Sequence, residues 1–426
     1  MSIVQTLRNY LDANKEFKLD FQHAFKIALT YNIRQFEDFG ITTFDQYLDY
    51  YETFLRWVPT ETRDGKNIYY HLCIFYFVLD LPPMMKHQAD IHPRSHWTWL
   101  SQWIIDFSVE VGKFLDSEAS LTEESLQTFN DSPLYRVHDY IDDGWKTFND
   151  FFARRLKPGK RHWDQDTATD IVITQPADSM FGGVFPVDDT NHVELKGIPW
   201  NICQLLHDTL HGEQFAGGQF THSFLNTYDY HRQHAPVSGT IVDARVIPGL
   251  CYLEVVADPP TPGSKRPTSL RMRRKLAHHP NHQAALIRNA SGDKDGMEAP
   301  DSPGYQFLQA RGVIVIDNPD IGLVAVLPVG MAQVSSVRLS VEVGQQVQKG
   351  DEISYFQMGG SDCIIVFQGG VEINFTAKAP DPEPTKYFVG NQIATARKGQ
   401  RGAGIGPRSV KLDTTASPST FFLRAR

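Results

Sequence analysis

Apolar residues recur every three or four positions in segments 4–10, 21–29, 44–57 and 97–115, which predicts amphipathic helices through the first 150 or so residues. The run 68–79 is almost wholly apolar, too short to span a bilayer, and carries His71, so it predicts a buried helix. Ser120-Leu-Thr-Glu123 has the capping-box spacing of a further helix start. Pro82-Pro83 and Asp131-Ser-Pro133 interrupt the helical pattern. After residues 148–159 the rhythm changes to short β-branched runs divided by Gly, Pro and Asp: 171–174, 240–246, 312–316, 323–328 and 364–367. These predict strands, with one helix among them at 201–210. Val341-Glu-Val-Gly-Gln-Gln-Val-Gln-Lys-Gly350 places turn glycines between strands, as in barrel-sandwich-like hairpins. The expected fold class is therefore α+β, with an all-helical N-terminal domain (1–147) followed by a β-rich domain (148–397). Within the latter, the polar stretch 257–305 holds Lys265, Arg266, Arg271, Arg273, Arg274 and Lys275 and reads as a mobile insertion, with a lid or phosphate-binding role as the alternative. Residues 398–426 read as a flexible tail.

Composition narrows the function classes. A hydrophobic content of 41% and a charged content of 21% describe an ordinary globular chain, and a net charge of −9 argues against nucleic acid as a partner. The four cysteines form no CxxC pair, which predicts reduced thiols rather than a disulfide frame or a zinc site. Residues 1–17 lack the apolar core of a signal peptide, so a soluble, cytoplasmic protein is expected. His87, His92 and His96 lie close together without a further ligand at metal spacing and read as packed or solvated histidines, and no metal is expected. Biotin and lipoyl carriers share the 341–350 hairpin pattern, but they present a lysine at an exposed turn, whereas Lys349 directly precedes a glycine.

The candidate chemistry centres on Tyr355-Phe-Gln-Met-Gly-Gly-Ser-Asp-Cys363. A Gly-Gly pair before Ser361 leaves the Gly360 carbonyl open to attack by the neighbouring hydroxyl. Histidine is the natural base for a serine proton near neutral pH, and a carboxylate can orient it. Asp178, at a strand-to-turn junction, and His234, before the strand 240–246, complete a candidate Asp-His-Ser relay. The same chain order occurs in one class of serine hydrolase. That reading is weakened by Cys363, which stands where a nucleophile elbow carries glycine.

Five motifs in order, Phe151-Phe-Ala-Arg-Arg-Leu-Lys-Pro-Gly159, Pro176-Ala-Asp178, Tyr230-His-Arg-Gln-His-Ala-Pro-Val-Ser-Gly239, Val343-Gly-Gln-Gln-Val-Gln-Lys-Gly350 and Tyr355-Phe-Gln-Met-Gly-Gly-Ser361, resemble the phosphatidylserine decarboxylase family of pyruvoyl enzymes. The helical front resembles that of the soluble fungal branch, which includes a tryptophan decarboxylase. The resemblance implies that 148–397 is the catalytic domain and that the chain cleaves itself between Gly360 and Ser361. Ser361 then becomes a covalent pyruvoyl cofactor, with no pyridoxal phosphate. His234 is implied as the base, Asp178 as its support, and His231 as a substrate-binding or structural residue. The implied reaction is decarboxylation of an L-amino acid, aromatic by the branch resemblance, through a Schiff base on the pyruvoyl group. Its partner is then a small-molecule amino acid or a serine phospholipid head group, and phosphatidylserine decarboxylase is the alternative activity. Peripheral membrane contact through the 265–275 basic cluster and a homodimer both stay open. One position departs from the family, which follows Gly-Ser with Thr or Ser where this chain has Asp362. A carboxylate there adds negative charge where an oxyanion must form, so an uncleaved, non-catalytic relative is a further alternative.

Overall fold

The computed structural model describes residues 1–89, 97–195, 198–207, 209–251, 253–257, 270–273, 308–331, 336–358, 360–378 and 385–400. Helices occupy the front of the chain. Ile3–Ala13, Lys15–Thr30, Phe44–Phe54 and Trp99–Leu115 bury their apolar faces together, and the largely apolar helix Asn67–Phe77 packs among them. This core is aromatic: the Tyr47 hydroxyl donates to the Ile74 and Phe75 carbonyls, and Tyr51 donates to Tyr47. Each buried hydroxyl thus has an acceptor, which removes the cost of burying it. Pro82 opens a new short helix, Pro82–Met85, at a position where its missing N–H is harmless. The helix expected from Ser120 begins instead at Glu123, capped by Thr122 with Ser125 closing the box. The Ser120 hydroxyl is used elsewhere, donating to Leu115 and Ser117 and accepting from the Phe148 amide.

Among the described residues eighteen strands follow. They are β1 (Asp170–Thr174), β2 (Ser179–Pro186), β3 (His192–Leu195), β4 (Ile198–Asn201), β5 (Gln219–Leu225), β6 (Arg232–His234), β7 (Gly239–Ile247), β8 (Glu254–Ala257), β9 (Leu270–Arg273), β10 (Arg311–Asn318), β11 (Gly322–Met331), β12 (Val337–Leu339), β13 (Gln346–Val347), β14 (Glu352–Phe356), β15 (Gly360–Phe367), β16 (Ile373–Phe375), β17 (Thr385–Tyr387) and β18 (Gln392–Arg397). An eight-stranded antiparallel sheet runs β13-β7-β10-β11-β15-β5-β2-β17. Two three-stranded sheets, β1-β18-β16 and β12-β14-β6, and the ribbons β3-β4 and β8-β9 complete the β part. The fold is α+β. Among the described residues every sheet is open and none closes into a barrel.

The helix expected over 201–210 is a single turn, Ile202–Leu205, because His207 adopts a left-handed φ of 51° that ends it. Around 341–350, Gly344 and Gly350 make the turns with positive φ, but β13 pairs with β7 and leaves β12 to pair with β14. Of the insertion 257–305 only Ala257 and β9 are described. The rest of that insertion, the tail beyond Gln400, His92, His96 and Gly359 lie outside the described residues. One continuous hydrophobic cluster joins helices and sheets. Polar contacts tie them too, including Tyr76 hydroxyl to Cys251 carbonyl (3.1 Å) and the Val255 amide to Asp80 (2.7 Å).

Candidate active site

Strand β15 is buried on both faces, as its unbroken run Cys363-Ile-Ile-Val-Phe367 requires, and lies between β11 and β5. Its first residues are held on both sides: Gly360 stands opposite Met331, and Ser361 opposite Gly330 and Leu225. On the far side of β5, Met180 of β2 pairs with Phe224. Ser179 is therefore level with Ser361 and two strands away, roughly 10 Å by strand spacing, and Asp178 is the residue before it.

The carboxylate of Asp178 is buried and receives a fork from Arg161. Nε donates at 3.1 and 3.2 Å to the two oxygens and Nη2 at 2.5 Å, and the Val389 amide adds 2.9 Å. Burial works against the charge on Arg161, but its hydrogen bonds to Asp178 outweigh this and raise its pKa above the usual arginine value. Arg161 also reaches Asp139 at 3.6 Å, so it is shared between two buried acids.

Pro176 and His234 are joined through the backbone, the His234 amide donating to the Pro176 carbonyl at 2.8 Å. The ring of His234 is fixed at both nitrogens. Nδ1 lies 2.7 Å from the Gly350 carbonyl, which can only accept, so Nδ1 carries the proton. Nε2 then accepts from the Tyr230 hydroxyl at 2.8 Å. Burial lowers the His234 pKa, against the raising pull of the Gly350 carbonyl, so the ring is neutral near pH 7. Gly350 can place its carbonyl there because its φ is +93° and a Cβ would press on the Trp163 ring at 3.2 Å. Asp178 and His234 are thus neighbours whose coupling is electrostatic, since neither ring nitrogen bonds the carboxylate.

His231 is fully buried and stacked on Phe152 at 3.9 Å; neither ring nitrogen has a partner at full hydrogen-bond geometry, the Asp229 backbone being the polar group that acts on the ring. Burial drives its pKa well below the usual histidine value. Its carbonyl accepts from the Phe356 amide, which sets it beside the segment that leads to Gly360. Asp362 does not face solvent. It is fully buried, with an oxygen 3.3 Å from Nε2 of the equally buried His222, a contact outside hydrogen-bond angles. A Cβ on Gly182 would collide with the His222 ring, so the glycine makes room for this pair.

Sequence reasoning gave no role to Arg161 or to the Tyr230 hydroxyl. Tyr230 sits inside a quoted motif, whereas Arg161 follows one with no local pattern to mark it. Lys349 is buried and paired with Asp166 instead of displayed at a turn, unlike a carrier lysine. His87 bonds Asp20 at 2.8 Å, and no group of three metal-ligating side chains occurs among the described residues. No helix among them is long and apolar enough to cross a membrane.

Comparison with known proteins gives this geometry a family. Residues 148–395 match the phosphatidylserine decarboxylase profile. Phosphatidylserine decarboxylase proenzyme 2 of Oryza sativa subsp. japonica is 30% identical over 64% of this chain, a stretch that takes in 37% of the rice protein. The decarboxylase iboD of Amanita muscaria is 29% identical over 58% of this chain and 67% of its own length. The L-tryptophan decarboxylase of Psilocybe cyanescens is 27% identical over 60% of this chain and 53% of its own. The chain belongs to the phosphatidylserine decarboxylase family.

Proposed function

We propose that the protein is a pyruvoyl-dependent decarboxylase that cleaves itself between Gly360 and Ser361 and removes carbon dioxide from an L-amino acid. The observation that carries this reading is the neutral, doubly anchored His234, in a chain whose Gly360–Ser361 bond is held in register from both sides. In maturation the Ser361 hydroxyl attacks the Gly360 carbonyl and converts the peptide bond to an ester, with Nε2 of His234 taking the proton. Asp178, hydrogen-bonded by Arg161, favours the imidazolium so formed. Elimination releases Gly360 as a new C-terminus, and water replaces ammonia at position 361.

The residues present fit a pyruvoyl group at that position. The backbone of the buried His231 is bonded to Phe356, in the segment that leads to the bond, and its ring nitrogens, outside full hydrogen-bond geometry with the chain, would offer polar contacts. The pyruvoyl ketone supplies the electron sink for decarboxylation that pyridoxal phosphate supplies elsewhere. His231 is assigned to substrate binding, and His234 to moving the proton that replaces the lost carboxylate.

The fungal relatives named for tryptophan favour an aromatic amino acid. A second reading, phosphatidylserine as substrate, is favoured by the names of the rice, fission yeast and Bacillus relatives. Co-sedimentation with phosphatidylserine vesicles separates the two, because an enzyme for a free amino acid stays in the supernatant. The governing test is an intact mass of the purified 48.3 kDa chain beside a Ser361→Ala control. Two pieces divided after Gly360, the second beginning with pyruvoyl, support the reading. A wild type that stays whole overturns it, and reaction with a fluorophosphonate then marks a serine hydrolase.

A further inference from the structure

Beside the segment that runs into Gly360 lies a polar groove of about 330 Å³. Its floor includes Tyr355 and Gln357. Asn149, also in its wall, accepts the Met358 amide at 3.0 Å, so the groove is tied to the chain just ahead of the scissile bond. From Gln357 to Ser361 is four residues, at most roughly 13 Å of extended chain.

Four cations line this groove, Lys146, Arg154, Arg155 and Arg232, against two acids, Asp143 and Asp150. Counting Glu352, which pairs with Arg232, four cations face three acids, a surplus of one positive charge in a chain whose net charge is −9. Asp150 is already engaged, accepting from the Lys146 and Thr147 amides. Arg232 is fixed by Glu352 at 2.6 Å and the Ala153 carbonyl at 2.7 Å, and it packs over the Tyr355 ring. Arg154, 1% exposed, donates to the Tyr228 and Asp229 carbonyls and keeps its Nε without a partner. The side chains of Lys146 and Arg155 have no hydrogen-bonded or ion-paired partner among the described residues. The wall is thus a rigid pair of arginines with two uncommitted cations at the mouth, an arrangement suited to an oxyanion.

We propose that this groove is a subsite for an oxyanion, phosphate or carboxylate, that the substrate carries apart from the carboxylate it loses. The proposal rests on the decarboxylase reading and sharpens its substrate. Two sources share the chemistry: the phosphodiester of a lipid head group and the distal acid of a free amino acid. The test uses the full-length Ser361→Ala protein, which cannot cleave, so binding is read without turnover. Inorganic phosphate, glycerophosphoserine, L-glutamate and L-tryptophan are titrated calorimetrically into it and into a Lys146→Glu/Arg155→Glu version. Phosphate and at least one of the two acid-bearing amines are expected to bind, weakening about tenfold or more on charge reversal, while tryptophan responds equally in both proteins. Tighter binding of glycerophosphoserine than of glutamate assigns the lipid source, and the reverse order assigns the free acid. The subsite is overturned if no oxyanion binds at millimolar concentration, or if charge reversal leaves binding unchanged. Failure of the decarboxylase reading looks different: the wild type stays one chain, whatever the titrations give.

Discussion

The pair Arg161–Asp178 is the sharpest place to strike the site. Their side chains are 5% and 3% exposed, and three contacts of 3.2 Å or less join them. Arg161→Ala leaves Asp178 buried with the Val389 amide as its remaining hydrogen-bond donor. Removing one partner of a buried pair costs about 3–5 kcal/mol, because the other charge stays behind in a poor solvent for it. The exposed pair Lys18–Asp12, 41% and 75% exposed, sets the contrast, since such pairs are worth about 0.2–1 kcal/mol. Urea unfolding of Arg161→Ala, Asp178→Asn and the double variant, all in the Ser361→Ala background, measures the coupling directly. The double variant is expected to recover about 2 kcal/mol relative to the sum of the singles. Asp178→Asn is the milder single, because Arg161 still has Asp139 at 3.6 Å. A cost below about 1 kcal/mol for Arg161→Ala would show that Asp178 is solvated like a surface carboxylate, and its assignment as the anchored charge of the site would fall.

The proposed self-cleavage would need the neutral ring of His234, whose pKa burial lowers below the usual 6.5 or so, so its rate is expected to be flat above about pH 7 and to fall only in more acid solution. Tyr230→Phe removes the donor that holds Nε2 neutral and is expected to move that fall to higher pH; a profile that does not move rules out the Tyr230 contact as a determinant. A separate acid response belongs to the helical front, where burial lowers His71 to about 3. Because its folded pKa lies below the unfolded one, the unfolded chain binds the extra proton first, and stability is lost as the pH falls below about 6.5. Between pH 7 and 5 the loss is about 2 kcal/mol by urea unfolding, and His71→Phe should abolish that share; an unchanged acid loss refutes it.

What could be read from the sequence follows the range of the forces involved. The strands 312–316, 323–328 and 364–367 announced themselves because both faces are buried, and the main helices because their apolar stripes are regular. Strand order was illegible: β15 pairs with β5, whose Thr221 and Ile365 lie 144 positions apart, and nothing local encodes that pairing. The helix 201–210 was overestimated because apolar spacing continues past His207, where the backbone turns left-handed. Asp178, His234 and Ser361 were marked by motifs. The hydrogen-bond partners of Asp178 and His234, which are Arg161, Tyr230 and the Gly350 carbonyl, come from loops and a positive-φ turn that carry no periodic signal.

Strand β15 is fifth of eight in its sheet, and the chain after it goes on to supply β17 to the far edge of that sheet and β16 and β18 to another. A cut ahead of Ser361 therefore does not make two separable proteins. The C-terminal piece stays threaded through its parent by ladders on both sides of β15, so a tag on either piece retrieves both until denaturant is added. Made apart, the larger piece would carry an open slot between β11 and β5, with two unpaired strand edges inviting aggregation. Under the proposed maturation the intact precursor would be the assembly device, folding as one chain what would afterwards persist as two.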